Sequence, residues 1–160
     1  MLKSLSVAGL VVIFDQITKQ IVRNSMVLGE SFDILGNTLR FTFVENKGLA
    51  FSIKVSNLAI FTGLSFIASA VVFYYLYKYR NEGMSVYLPL ALIFGGAIGN
   101  MIDRILFSKV VDFIDVGISS YRWPVFNIAD SAVSVGLVWF LIASWMMNEE
   151  EEEPTIETAD

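Results

Sequence analysis

The chain has 160 residues, 55% hydrophobic and only 17% charged, which is more apolar than the roughly 45–50% typical of a soluble domain and marks a membrane protein. The net charge of -5 comes from seven acidic residues from Glu149 onward; the rest carries nine acidic against eleven basic residues and offers nothing to nucleic acid. With no cysteine and no histidine, the chain cannot build disulfides, Cys/His zinc sites, cysteine nucleophiles, histidine triads or a His-Glu-x-x-His centre, and no metal or cofactor is expected.

The first span is predicted over residues 4–22. Its apolar run to Phe14 looks like a secretory leader, but no small-x-small cleavage site follows; instead Asp15, Thr18 and Lys19 fall on one face of a continuing helix. Asp15 and Lys19 have two readings. They are either an exposed i, i+4 pair contributing about 0.2–0.5 kcal/mol, or inward-facing members of a site. Residues 29–55 change character. Gly29, Gly36 and Gly48 punctuate them, Leu35-Gly36-Asn37-Thr38 reads as a turn, and Leu39 to Val44 alternates as a strand does. Asn46, just after it, either turns the chain or presents its amide to a ligand.

Residues 57–77 form an uncharged stretch of 21 residues, enough to cross a hydrocarbon core of roughly 30 Å. A collar of Tyr74, Tyr75, Tyr77 and Tyr79 with Lys78 and Arg80 closes it, as at a bilayer interface. The third span, 86–107, holds Gly95 and Gly99 at i, i+4, a spacing that lets another helix backbone approach. It also holds Asn100, Asp103 and Arg104 at i, i+3 and i+4, three polar groups on one face that suggest a lined cavity. A second non-membrane stretch, 110–125, opens with Val110-Val111-Asp112-Phe113-Ile114-Asp115. The fourth span, 126–147, has Asn127 and Asp130 in its first turn, where helix capping competes with a site role. Residues 149–160 read as an acidic, disordered tail.

Spans that cross in alternation bring the end of the first, the end of the third and the start of the fourth to one side. All the polar motifs lie there, and one wet cavity explains them with fewer assumptions than several separate caps. Counting basic residues puts that side in the cytoplasm, since the side bearing the termini has only Lys3, Lys78 and Arg80.

Asp15-Gln16-Ile17-Thr18-Lys19, Asn46-Lys47-Gly48-Leu49-Ala50-Phe51, the run Gly95 to Arg104, Val110-Val111-Asp112-Phe113 and Phe126-Asn127-Ile128-Ala129-Asp130 together resemble the lipoprotein signal peptidases of bacteria, or signal peptidase II. Each piece is weak alone; their order and placement on four spans are specific. The resemblance implies an all-α membrane protein, with four transmembrane helices and a small extracytoplasmic β-sheet, in residues 1–148. It implies an aspartic endopeptidase of the bacterial cytoplasmic membrane that removes signal peptides from prolipoproteins by cutting before a diacylglyceryl-modified cysteine. Asp112 and Asp130 take the catalytic positions, Asn46, Asn100, Arg104 and Asn127 the substrate-binding ones, and Asp15, Lys19 and Asp103 support the site. Prolipoproteins, membrane lipids and globomycin-type inhibitors are the implied partners. Against the charge count, the resemblance places both termini in the cytoplasm and the site near the outer face.

The residue types suit that chemistry on their own. Two carboxylates can hydrolyse an amide when one is ionised to activate water and the other is protonated to polarise the carbonyl. A proton-coupled carrier, a structural membrane protein and a serine-lysine protease are the alternatives. The first lacks internal repeats, the second leaves the clustering unexplained, and the third has no evident Ser–Lys pairing.

Overall fold

The computed structural model describes residues 1–47 and 58–152. Four helices and four strands follow in the order α1 (Leu2–Ser25), β1 (Ser31–Leu35), β2 (Leu39–Asn46), α2 (Leu58–Lys78), α3 (Met84–Phe107), β3 (Val110–Ile118), β4 (Tyr121–Arg122) and α4 (Ile128–Glu152). The expected helices form with bounds shifted by one to a few residues. Among the described residues, Leu2–Ser25, Met84–Phe107 and Ile128–Met147 are long and apolar enough to cross a membrane. Helix α1 shows why: Leu10, Ile13, Phe14, Ile17 and Ile21 all face outward and exposed, a continuous apolar surface that water would penalise and lipid would not.

Helix α3 is the hub, packing against α1, α2 and α4. Glycine makes this possible, as the spacing predicted. A Cβ on Gly95 would come within 2.7 Å of the Ala8 carbonyl of α1, and one on Gly99 within 2.7 Å of the Asp15 carboxylate. On the adjacent face, a Cβ on Gly96 would run into the Ala129 carbonyl of α4, and one on Gly136 of α4 would lie 2.7 Å from the Pro89 carbonyl. Backbones in such contact exchange dispersion along their whole length, which is how helices associate where lipid removes the hydrophobic drive. A cluster of Leu76, Val86, Leu90 and Ala91 joins α2 to α3.

The strands form one antiparallel sheet in the order β1-β2-β3-β4. The expected turn joins β1 to β2, with Thr38 N–H donating to the Leu35 carbonyl and Gly36 in the left-handed region at φ 49°. The alternating run becomes β2, but the strand continues through Asn46, so Asn46 is a strand residue rather than a turn residue. Gly48 lies outside the described residues. Sheet and bundle share a core of Val22 from α1, Phe43 from β2, and Val111 and Phe113 from β3. The Phe41 and Phe113 rings meet edge to face at 5.7 Å. This core fixes the sheet at the end of the bundle where α1 and α3 finish and α4 begins. At the other end, α4 runs on through Glu152, past the expected start of the acidic tail at residue 149; glutamate is a good helix former and lets the helix propagate. Residues 153–160 lie outside the described residues.

The α3–α4 contact yields a test. Gly96→Ala pushes a methyl onto the α4 backbone, and overpacking of this kind costs about 1–3 kcal/mol. Thermal unfolding in detergent should show a clear drop for Gly96→Ala and none for Gly63→Ala, whose Cβ would meet nothing within 4 Å.

Candidate active site

The site begins with a charge inside the bundle. Lys19 of α1 is fully buried, and its ammonium lies 2.8 Å from Asp15 Oδ2 and 3.1 Å from Asp103 Oδ2. Both carboxylates are fully buried too. Arg23, one turn further along α1, reaches Asp103 Oδ1 at 3.0 Å, which brings two cations to two anions. The remaining carboxylate lone pairs are filled: Ala129 N–H at the start of α4 donates to Asp15 Oδ1 at 2.9 Å, and Val111 N–H of β3 to Asp103 Oδ2 at 3.3 Å. Gln16 Nε2 bridges Asp15, Asp103 and the Gly99 carbonyl. A buried ion group persists only when paired and hydrogen-bonded in this way. The exposed-pair reading of Asp15 and Lys19 is therefore wrong: α3 and α4 cover that face of α1.

Lys19 also sets the direction of the amides beyond it. An ammonium can only donate, so the Asn100 oxygen must face it, and does so at 2.8 Å. The Asn100 nitrogen is then turned the other way and donates to Asp130 Oδ1 at 2.7 Å. Asn127 caps α4 reciprocally with Asp130. Its side-chain oxygen accepts from Asp130 N–H at 2.9 Å, while Asp130 Oδ2 accepts from Asn127 N–H at 3.3 Å, the arrangement of a capping box. With its oxygen so engaged, Asn127 directs its nitrogen at Asp112 Oδ1, 2.7 Å away. Asn46 Nδ2 donates to the other oxygen, Asp112 Oδ2, at 3.0 Å. Capping and site membership are thus one geometry for Asn127 and Asp130, because the cap is what aims both groups.

Asp112 and Asp130 line a cavity of about 570 Å³. Asn46, Asn100 and Arg104 share its polar side, and Trp123, Pro124, Val125 and Phe126 form an apolar wall. The Arg104 carbonyl accepts from Ser108 N–H at 3.0 Å at the end of α3, while the charges of Asp130, Asp112 and Asp103 all act on its guanidinium, which has no side-chain hydrogen bond or ion pair among the described residues. Burial pushes the Asp112 carboxyl up to about 7 and the negative charge of Asp130 adds to the rise, against the amides of Asn46 and Asn127 and the Lys19 charge. A raised carboxyl favours the folded chain below its unfolded value, and that contribution is lost as the pH climbs through about 7.

Every expected site residue is thereby brought into one connected group. Asn46, Asn100, Arg104, Asp112 and Asp130 line the cavity; Asn127, Asp15, Lys19 and Asp103 stand behind it. Gln16 and Arg23 were not anticipated, though Arg23 repeats the i, i+4 step from Lys19 and could have been found by extending that face. Asp115 lies on β3 and is ion-paired with Arg122 at 2.6 Å.

Apolar helices closed over a pair of hydrogen-bonded carboxylates in a half-apolar cavity describe a membrane enzyme. The comparisons agree. The family model for signal peptidase (SPase) II matches residues 7–146. The lipoprotein signal peptidase of Syntrophus aciditrophicus (strain SB) is 39% identical over 150 residues, covering 91% of this chain and 92% of that protein. That of Staphylococcus aureus (strain JH9) is 39% identical over 140 residues, covering 88% and 86%. A bacterial membrane enzyme solved by the in meso method at 2.3 Å superposes with a TM-score of 0.85 at 33% identity, over 98% of this chain and 96% of that one. A second, solved at 1.9 Å, gives 0.78 at 35% identity over 90% and 93%. The chain belongs to the signal peptidase II family, and is a protease of a bacterial membrane.

The cause of the Asp112 shift can be checked. Asp130→Asn removes the negative charge that adds to the rise, so the Asp112 carboxyl should titrate below about 7, nearer the ordinary 3.8. Difference infrared spectra of the protonated carboxyl band, assigned by its loss in Asp112→Asn, measure this midpoint. An unmoved midpoint would mean that the two groups do not sense each other.

Proposed function

We propose that this protein removes signal peptides from prolipoproteins, with Asp112 and Asp130 as an aspartic pair that cuts before a diacylglyceryl-modified cysteine. The observation that carries the reading is the pair itself: two carboxylates held on opposite sides of the Asn127 cap, both facing one cavity with an apolar wall. Between them the pair carries one proton. The ionised member takes a proton from water as its oxygen adds to the scissile carbonyl; the protonated member hydrogen-bonds the carbonyl oxygen and then supplies the proton that the leaving amine needs. Asn100 and Asn127 are committed to holding the carboxylates, which leaves Arg104 as the group to orient the peptide or offset charge on the tetrahedral intermediate. The diacylglyceryl chains and the apolar part of the signal peptide suit the apolar wall, and a globomycin-type peptide would occupy the same space.

The catalytic domain in this reading is residues 1–148, and the acidic segment after it takes no part in the chemistry. Helix α2, with 21 residues and no charge before Lys78, is the fourth span. Both termini are cytoplasmic, and the sheet with its cavity lies at the outer face of the cytoplasmic membrane. The basic-residue count opposes this orientation, but Lys19, Arg23, Arg40, Lys109 and Arg122 are bound in ion pairs, where structure rather than topology accounts for them.

Two experiments test the reading. Asp112→Asn and Asp130→Asn should each lower cleavage of a diacylglyceryl-modified precursor by about 10²–10⁴-fold while the protein still inserts and binds a globomycin-type peptide. Because the two act as a unit, the double variant should be hardly worse than either single one; substantial turnover in either single variant rules out the pair.

For orientation, cysteines placed at Ser31 and Ser85 in this cysteine-free chain should react with an impermeant maleimide in intact cells at Ser31 only. Labelling at Ser85 alone would invert the topology.

A further inference from the structure

The wall of the cavity is held by a second ionic assembly, away from the first. Arg122 of β4 donates from Nε to Asp115 Oδ1 at 2.6 Å, from Nη2 to the Asp115 carbonyl at 2.9 Å, and from Nη1 to the Asn37 carbonyl at 2.8 Å. One guanidinium therefore joins β4, β3 and the β1–β2 turn. Its stem crosses β3 over Gly117, where a Cβ would lie only 3.0 Å from Arg122 Cγ and 2.6 Å from the Tyr121 carbonyl. Thr42 of β2 holds the other carboxylate oxygen of Asp115 at 2.8 Å. Asn37 Nδ2 in turn donates to the Ser119 carbonyl of the β3–β4 turn at 3.1 Å.

What this clamp holds is the segment that follows it. Arg122 pairs with Gly117, and Phe126 bridges to Ile114; the returning chain thus has one residue more than β3 between the two points. An extra residue makes a bulge, and bulges re-aim side chains beside active sites. Trp123 N–H still bonds the Val116 carbonyl at 2.8 Å, and Phe126 N–H the Ile114 carbonyl at 3.0 Å, but Pro124 between them has no N–H to give. Trp123, Pro124 and Val125, which line the cavity, are therefore tied to the sheet on both sides, at Arg122 and at Phe126.

We propose that the Asp115–Arg122 clamp is the positioning element that sets where the Trp123–Val125 wall stands, and so how tightly the cavity receives the apolar, acylated part of its substrate. This rests on the prolipoprotein reading for the identity of the substrate, but not for the mechanics of the wall. The clamp leaves the chemistry alone: Asp112 accepts from Asn46 and Asn127, whereas Asp115 accepts from Thr42 and Arg122.

The test uses full-length Arg122→Ala, with Arg122→Lys as the milder change that keeps the charge and loses the fork. For a diacylglyceryl-modified precursor, KM should rise about tenfold in Arg122→Ala and less in Arg122→Lys, with kcat within about twofold of the parent in both. In a background with Trp139→Phe and Trp145→Phe, the fluorescence anisotropy of Trp123 should fall in the same order. Parallel loss of kcat would overturn the proposal, because it would make the clamp a support for Asp112. Unchanged anisotropy would overturn it as well, since the wall would then stand without the clamp. A fall in anisotropy with unchanged KM would show that the substrate does not use the wall. Failure of the prolipoprotein reading looks different: the parent itself would not cleave the precursor, while the anisotropy comparison would still decide whether the clamp holds the wall.

Discussion

The structure depends on the buried ammonium of Lys19. Taken alone, a cation at this depth would cost several kcal/mol, and the fold answers it with Asp15 and Asp103 at 2.8 and 3.1 Å. Those carboxylates come from two helices and are themselves completed by N–H groups of α4 and β3. Four elements therefore meet at one charge. Moving any of them leaves an ion or a carboxylate lone pair unpaired in a dry interior, so the α1–α3–α4 junction is fixed more sharply than apolar packing alone would fix it. The glycines of α3 serve the same junction, because Gly99 is where the Asp15 carboxylate needs room.

From Lys19 the constraint passes outward as hydrogen-bond polarity. Asn100 and Asn127 each have one oxygen and one nitrogen end, and each has its oxygen end claimed, Asn100 by the ammonium and Asn127 by the backbone N–H of Asp130. Their nitrogen ends are then free to donate to the two cavity carboxylates, Asn100 to Asp130 and Asn127 to Asp112. The pair thus sits among donors, which favour ionisation, in a site whose burial opposes it. Burial prevails over the donors, and the Asp112 carboxyl is pushed up to about 7.

Much of this was legible in the sequence, and the physical reason is the membrane. Against long apolar runs, Asp15, Lys19, Asn100, Asp103, Asn127 and Asp130 stand out as costly groups, and alternation of the spans brings them to one end. Strand β2 was legible from its alternation, whereas residues 110–125 could be assigned to the β region only as a whole and the bounds of β3 within it not drawn, because most of its residues are buried on both faces and Val110-Val111-Asp112-Phe113-Ile114 shows no period of two. The partner of Asp115 was not legible for a related reason. Arg122 is brought to it by a turn at Ser119 and Ser120 and by the absence of a side chain at Gly117, where the Arg122 stem packs, and sequence spacing discloses neither. Gln16 and Arg23 were passed over because polar residues beside Asp15 and Lys19 look like ordinary solvent-facing helix positions until α3 is packed against them.

Strand β3 connects the two ionic assemblies. Side chains alternate faces along a strand, so Asp112 and Asp115, three residues and roughly 10 Å apart, project to opposite sides of β3. One meets the amides of the bundle and the other meets Arg122. Each face can therefore be held by its own hydrogen bonds without competing for the same donors. The wall that begins at Trp123 is anchored to the strand that carries Asp112, so one sheet carries both the cavity carboxylate and the apolar surface that faces it.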